Sequence, residues 1–392
     1  MKQTRGLAVA VAVITLLTGA PDVQARGTVP SDADAKVTFA SGAAVRCGDT
    51  LTEHTRLTHD LSCPSSAPFA LRLDGEGIVL DLGGYTIRRT GPENEDSQGI
   101  VVDNGRMVRN GTVQGFGRGI ITSSFSNARN LRLHELAILD NHSAIYSQSE
   151  TNFLITQCRL SGNAWGLSSE FSASTGLFDV RNSIFTHNGT AMAADFHHID
   201  VIDSTFTSNG IVINCFGGSF RIRESTLAWN DAVGRMQLDF GGPYTCTEMR
   251  FENSLLANNA AFAPAIRPVW ETVRLVMIDT LAISNGLGLQ VAAETVYLDG
   301  NTFHDNAGGL TLSDLATAEP VPLTGIVRGN QFLRNDGDGL RVTPPSTPTV
   351  LDNVALGNTG FGIYAPTAFD GGGNVARDNA AGGCVGVICS PY

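Results

Sequence analysis

Eleven asparagines, Asn141, Asn163, Asn188, Asn209, Asn230, Asn259, Asn285, Asn306, Asn335, Asn358 and Asn379, follow one another at intervals of 21 to 29 residues. An apolar residue usually stands three positions earlier, among them Ile138, Leu160, Phe185, Phe206, Leu227, Leu256, Phe303 and Phe332. A unit this short cannot bury its own hydrophobic face, so successive units must stack on one another. The chain is therefore expected to be a solenoid.

The units themselves choose strand over helix. NSIFTHN at 182–188, DSTFTSN at 203–209 and ESTLAWN at 224–230 space their apolar residues mostly by two. None carries a sustained i, i+3, i+4, i+7 stripe, which an amphipathic helix needs. The economical solution is a coil of three short strands, each pairing in parallel with its equivalent about 4.8 Å away on the next coil. Phe185 then lies on Phe206, and Phe206 near Leu227. Asn tolerates unusual dihedrals at a bend, and its amide carries both donors and an acceptor. Stacked amides are expected to bond to one another and to backbone that burial would otherwise leave unpaired.

These N-x-x-F-x-x-N frames, with glycine–apolar openings such as Gly166–Leu167, Gly309–Leu310 and Gly362–Ile363, make the chain resemble the right-handed parallel β-helix superfamily. That group contains pectate lyases and polygalacturonases. The resemblance spans about residues 74 to 384 and implies an all-β, single-stranded, right-handed parallel β-helix. It would have about 12 coils, with three short parallel sheets and an Asn ladder. The right-handed sense comes from the resemblance and not from the period. Such a fold hosts unrelated activities, so it does not supply a function.

Four segments are expected. Residues 1–25 read as a secretory signal, with Lys2 and Arg5 before an apolar run and Val23-Gln24-Ala25 at the cleavage site. A cap over 26–73, the β-helix over 74–383 and a closing segment over 384–392 complete the chain. A secreted or periplasmic location is expected, with no membrane span and a monomeric state. The cysteines suit that compartment. Cys47 with Cys63 and Cys384 with Cys389 are expected to close the two ends, Cys215 and Cys246 are a further candidate pair, and Cys158 remains as a buried thiol. No Cys/His spacing resembles a zinc site. The formal charge is −12, and the only lysines are Lys2 and Lys36. A nucleic-acid partner needs a basic stripe, and none is visible.

In the resembling enzymes, the strand after the ladder bend floors the ligand groove. Alternation turns Ile145, Leu167, Met192, Ile213, Leu289 and Leu310 inward, four residues after each Asn. The outward row at five and seven after holds Tyr146, Ser168, Glu170, Asp195, Asn214 and Arg235. Asp239 comes next. Long coils at 240–247 and 261–273 bring Tyr244, Arg267 and Trp270. The candidate catalytic residues are thus Asp195, Glu170, His197, Arg235 and Asp239, and the candidate substrate contacts are Tyr146, Asn214, Tyr244, Arg267 and Trp270. Carboxylates, histidine, arginine and aromatics in one groove suit a polysaccharide or cell-surface glycan.

Three reactions fit such a set. Hydrolysis uses two carboxylates. Elimination from a uronic acid uses a base, Arg235 or His197, with a carboxylate or bridging Ca²⁺ neutralising the acid group. Epimerisation begins with the same proton abstraction. No cofactor is demanded by the residues, and Ca²⁺ is the candidate. The polygalacturonase pattern of N-x-D, D-D, G-H-G and R-x-K is absent, as are the alginate-epimerase D-P-H-E signature and a matching pectate-lyase calcium cluster. No residue role is carried over from those enzymes. The expectation is a secreted lyase or epimerase on a uronate polymer, with a hydrolase behind it. The alternative is a non-catalytic β-helix for glycan binding, adhesion or cell-envelope architecture, because outward charges on a sheet are ordinarily solvated.

Overall fold

The computed structural model describes residues 38–39, 45–92, 94–123, 130–169, 176–195, 197–236, 246–262, 270–286, 288–315 and 321–390. The chain divides into two units, Met1–Thr38 and Phe39–Tyr392. The described residues of the second contain no helix, only short strands and the bends between them. They form about 13 turns of a parallel β-solenoid. Each turn presents three walls, as in Ser143–Ser147, Asn152–Thr156 and Arg159–Ser161. Every strand pairs in parallel with its equivalents on adjoining turns, so Ile145 lies between Ile120 and Leu167. Residues 49–73, expected from the sequence to belong to a cap, already supply strands: Asp49–Leu51 pairs in parallel with Phe69–Leu73.

The core is a set of columns. Phe185 pairs with Phe206 in register, and their rings stack with centroids 4.8 Å apart; Phe206 is in turn paired with Leu227. Phe153 on Phe178 (5.0 Å) and Phe303 on Phe332 (5.3 Å) repeat the arrangement. The six inward residues assigned after the ladder bend are all buried.

The asparagine ladder runs unbroken from Asn141 to Asn379, each Nδ2 donating to the Oδ1 of the next at 2.8 to 3.1 Å. The same Oδ1 also accepts the backbone N–H of the preceding ladder residue, as Asn209 does from Asn188 at 3.0 Å. The Nδ2 donates as well to a carbonyl on the preceding turn, Asn209 to Phe185 at 3.0 Å. The unusual dihedral belongs to a neighbour. The left-handed residue precedes the ladder Asn, as at His187, Ser208, Trp229 and Asn258, with φ between 54° and 60°.

A second ladder stands five residues earlier in each unit, at the opposite bend of the third wall. Ser183, Ser204, Ser225 and Ser254 each accept the backbone N–H of their predecessor through Oγ. Beyond Thr280 the column changes to Asn301, Asn330, Asn353 and Asn374, which bond amide to amide. It too is preceded by left-handed residues, including Asn182, Asp203, Glu224 and Asp279.

Cys47–Cys63, Cys215–Cys246 and Cys384–Cys389 are disulfides. Cys158 is free and buried, its Sγ donating to the Thr156 carbonyl at 3.3 Å. Burial pushes this thiol up to about 12. Thiolate is the nucleophile, so a thiol reagent at pH 8 is expected to leave the native protein unlabelled at Cys158. Labelling in guanidinium should appear with unfolding, and mass spectrometry of the alkylated peptide checks it.

Candidate functional site

The second wall is rich in charge yet offers no free receptor where its arginines are paired. Arg223 holds Asp200, Arg221 and Arg250 hold Glu252, and Arg274 holds Glu248. Burial alone would raise the Glu252 carboxyl. Hydrogen bonds from Arg221 and Arg250 outweigh it and hold the group below its ordinary value. These ions neutralise one another along the sheet.

The first wall differs. At its N-terminal half a cleft of about 320 Å³ is lined by Glu95, Arg118, His142, Tyr146, Trp165 and Ser168, among others. Its floor is set by the ladder. Asn141 Oδ1 accepts the Phe116 N–H at 2.9 Å, which fixes the bend and places His142 immediately after it. The His142 and Ser143 N–H groups then donate to Phe116 and Gly117 carbonyls. Arg118 opens its strand in register with Ser143, and Ser143 with Trp165, so the three stand on successive turns. The Arg118 guanidinium lies 4.9 Å from the centroid of the Tyr146 ring. No ion pair to Arg118 occurs among the described residues. A cation over an aromatic face keeps its charge available to an anion from solvent.

The cleft rim is formed by residues 94–97. Asn94 Oδ1 accepts the Asp96 N–H at 2.9 Å, and Ser97 Oγ donates to the Asn94 carbonyl and accepts the Gly117 N–H. This draws the loop down onto Gly117, where a Cβ would sit 1.9 Å from the Glu95 carbonyl oxygen. Glycine is needed there for close approach and not for its dihedral. The result sets Glu95 Oε1 3.8 Å from His142 Nδ1, with side chains 74% and 41% exposed respectively. Gly117→Ala is expected to lift the loop and separate that pair. Its thermal midpoint should fall by a few degrees, as for about 1–2 kcal/mol of overpacking in a domain this size, and ligand affinity at the cleft should fall with it.

Of the residues singled out from sequence, the candidate substrate contact Tyr146 lines this cleft, as does Ser168 of the outward row. Among the others whose side chains are described, Asn214 and His197 are not in it. Asn214 is fully buried, and Ala193 and Ser168 in the same outward row are also nearly so. Alternation predicts direction relative to the coil interior; it does not determine access to solvent. His197 is a correction of a different kind. It is fully buried, with its ring stacked 5.2 Å from Phe178 in the core column behind the second wall, so it is no groove base. His198 faces out and meets Ser219 at 2.5 Å. Asp195 and Arg235 lie on first-wall strands Thr190–Asp195 and Ala232–Met236, and Trp270 opens the second-wall strand Trp270–Ile278. Glu170, Asp239, Tyr244 and Arg267 lie outside the described residues. Among the described residues no cluster of His, Cys, Asp and Glu suits a metal ion, and no helix is long and apolar enough to cross a membrane.

The stepping of five and seven residues passed over Arg118, His142 and Trp165. His142 and Ser143 come one and two residues after the ladder Asn, and Trp165 two after the next. That position was open to reading from the repeat. Glu95 was not, since nothing local says that its loop folds onto Gly117.

Fold and cleft together define a parallel β-solenoid with a recessed, mixed-charge, aromatic site on one wall. A family model described as the right handed beta helix region matches residues 74–389, and the chain belongs to that family. Comparison with curated proteins gives no match. Among solved structures the chain is similar to the A-module of mannuronan C-5 epimerase AlgE6 from Azotobacter vinelandii, at 13% identity. That alignment covers 88% of this chain and 91% of the other with a TM-score of 0.37, and no residue role is taken from it.

Proposed function

We propose that the chain is a secreted protein that acts on a uronate-containing polysaccharide as a lyase or epimerase, with the first-wall cleft as its sugar site. The observation that carries this reading is the meeting of Arg118, Tyr146, Trp165, His142 and Glu95 around one recess. Aromatic faces take the apolar face of a sugar ring, and an unpaired guanidinium takes its carboxylate. That charge neutralisation makes the adjacent C–H more acidic, and His142 is the group beside it that accepts a proton. Glu95 then orients and stabilises the imidazolium. Hydrolysis is less supported, because it needs two carboxylates astride the bond and the cleft has its two, Glu95 and Asp96, on one rim loop. Asp195, on the strand whose Ala193 lines the recess, extends the site in this proposal.

A panel of uronic and neutral polysaccharides, with and without Ca²⁺, tests it. Unsaturated product marks a lyase, and solvent deuterium at the sugar C5 marks an epimerase. Asp195→Ala is expected to abolish turnover on the polymer so identified; wild-type turnover in that variant removes Asp195 from the site. The second reading, a non-catalytic glycan-binding or envelope β-helix, is favoured by the exposure of Glu95 and His142. Binding without any product on the whole panel would establish it in place of the first.

A further inference from the structure

Beside the first-wall cleft lies a second recess of about 330 Å³, formed where the third wall turns into the first. Arg89, Asn94, Gly115, Gly117 and Asp140 line it, and it shares two residues with its neighbour, Glu95 and His142. The two recesses therefore meet at the Glu95–His142 pair. Their chemistry differs. Arg89 donates to the Gly115 and Pro92 carbonyls, which turns its guanidinium toward the loop backbone. Asp140 keeps an exposed carboxylate, which accepts from Gln114 Nε2 at 2.9 Å through Oδ2. The corner recess thus suits hydroxyl groups, whereas the wall recess, with Arg118 over Tyr146, suits a carboxylate.

Access along the wall away from the corner is limited. Along the wall the recess ends at Ala193, and Thr190 on the same strand and Asn214, in register with Ala193 on the next turn, are buried. The open path from the Arg118 recess leads around the bend, past His142, and not up the stack of strands.

We propose that the two recesses are adjoining sugar subsites, so that the polymer crosses the solenoid axis around this bend with the Glu95–His142 pair at the junction of two units. The wall subsite takes the uronate carboxylate on Arg118. The corner subsite takes the neighbouring unit through hydroxyl donors to Asp140. This rests on the sugar-binding reading of the cleft and adds to it a direction, a minimum length of two units and a residue, Asp140, that selects for the second.

Titration calorimetry or NMR with a uronate monosaccharide, its di- and trisaccharides and the matching neutral oligosaccharides tests the proposal. The wild type is expected to gain affinity from one unit to two. Asp140→Asn keeps a side chain that tolerates the φ of 53° found there. It should weaken the di- and trisaccharide about tenfold, as for a lost charge-assisted hydrogen bond, and leave the monosaccharide unchanged. Arg118→Ala should weaken all three. Circular dichroism and the thermal midpoint confirm that each variant is folded. Equal wild-type affinity for one unit and two, or full disaccharide affinity in folded Asp140→Asn, overturns the two-subsite groove. Length- and Asp140-dependent binding confined to neutral oligosaccharides leaves the groove standing and removes the uronate assignment. Failure of every oligosaccharide to bind removes both.

Discussion

Asn209→Leu is expected to destabilise the solenoid by about 4 kcal/mol, the sum of two to three buried polar groups left without partners at roughly 1–3 kcal/mol each. Asn209 Oδ1 accepts both the N–H and the Nδ2 of Asn188, and its Nδ2 donates to the Phe185 carbonyl and to Asn230. Leucine keeps the branched outline, with bulkier ends, but meets none of these, and Asn209 is too buried for water to replace it. Each repeat interacts with its neighbours, so the loss is felt on both sides of the break. Asn379→Ala, at the end of the ladder, is the internal control. Its bonds to Asn358 and Ala355 are only part-buried, and a cost nearer 1 kcal/mol is expected there because solvent reaches the freed groups. Guanidinium unfolding midpoints of the two variants decide the matter. Equal, small losses would mean that the ladder accompanies the fold without holding it.

The second large effect is on function. His142→Ala is expected to lower kcat on the responsive polysaccharide by about 10²–10⁴-fold, the usual range for removing a general base. KM should change little, since sugar stacking rests on Tyr146 and Trp165. Arg118→Ala should raise KM as well as lower kcat, because the carboxylate is bound in the ground state and its oxygens gain negative charge as the adjacent proton leaves. Neither variant touches the ladder amides, so thermal midpoints should stay near the wild type. Full turnover in folded His142→Ala would exclude it as the base and leave the cleft a binding site.

Much of the fold was legible because a solenoid repeats its own evidence. Asn188, Asn209 and Asn230 each announce the same bend, and any one of them alone would be an ordinary turn residue. The second ladder carried an equally regular signal, Ser183, Ser204, Ser225 and Ser254. It was missed because serine at a bend looks like solvent-facing polarity until its Oγ is seen to take the N–H of the turn before it. The left-handed residues were one position off for a related reason: the ladder Asn keeps an ordinary backbone so that its amide points inward, and the residue before it makes the turn.

The candidate site was less legible. Tyr146, reached by alternation, lines the cleft, but Asn214 in the same column is fully buried and His197 belongs to the core. The amino-acid sequence by itself determined which side chains stack, since identical strands pairing in parallel must place equivalent residues on one another turn after turn. Only the tertiary structure decided which stretch of the outward face is open. It alone brought Glu95 over Gly117 to His142, because that approach depends on where a distant loop packs, and no periodicity encodes it.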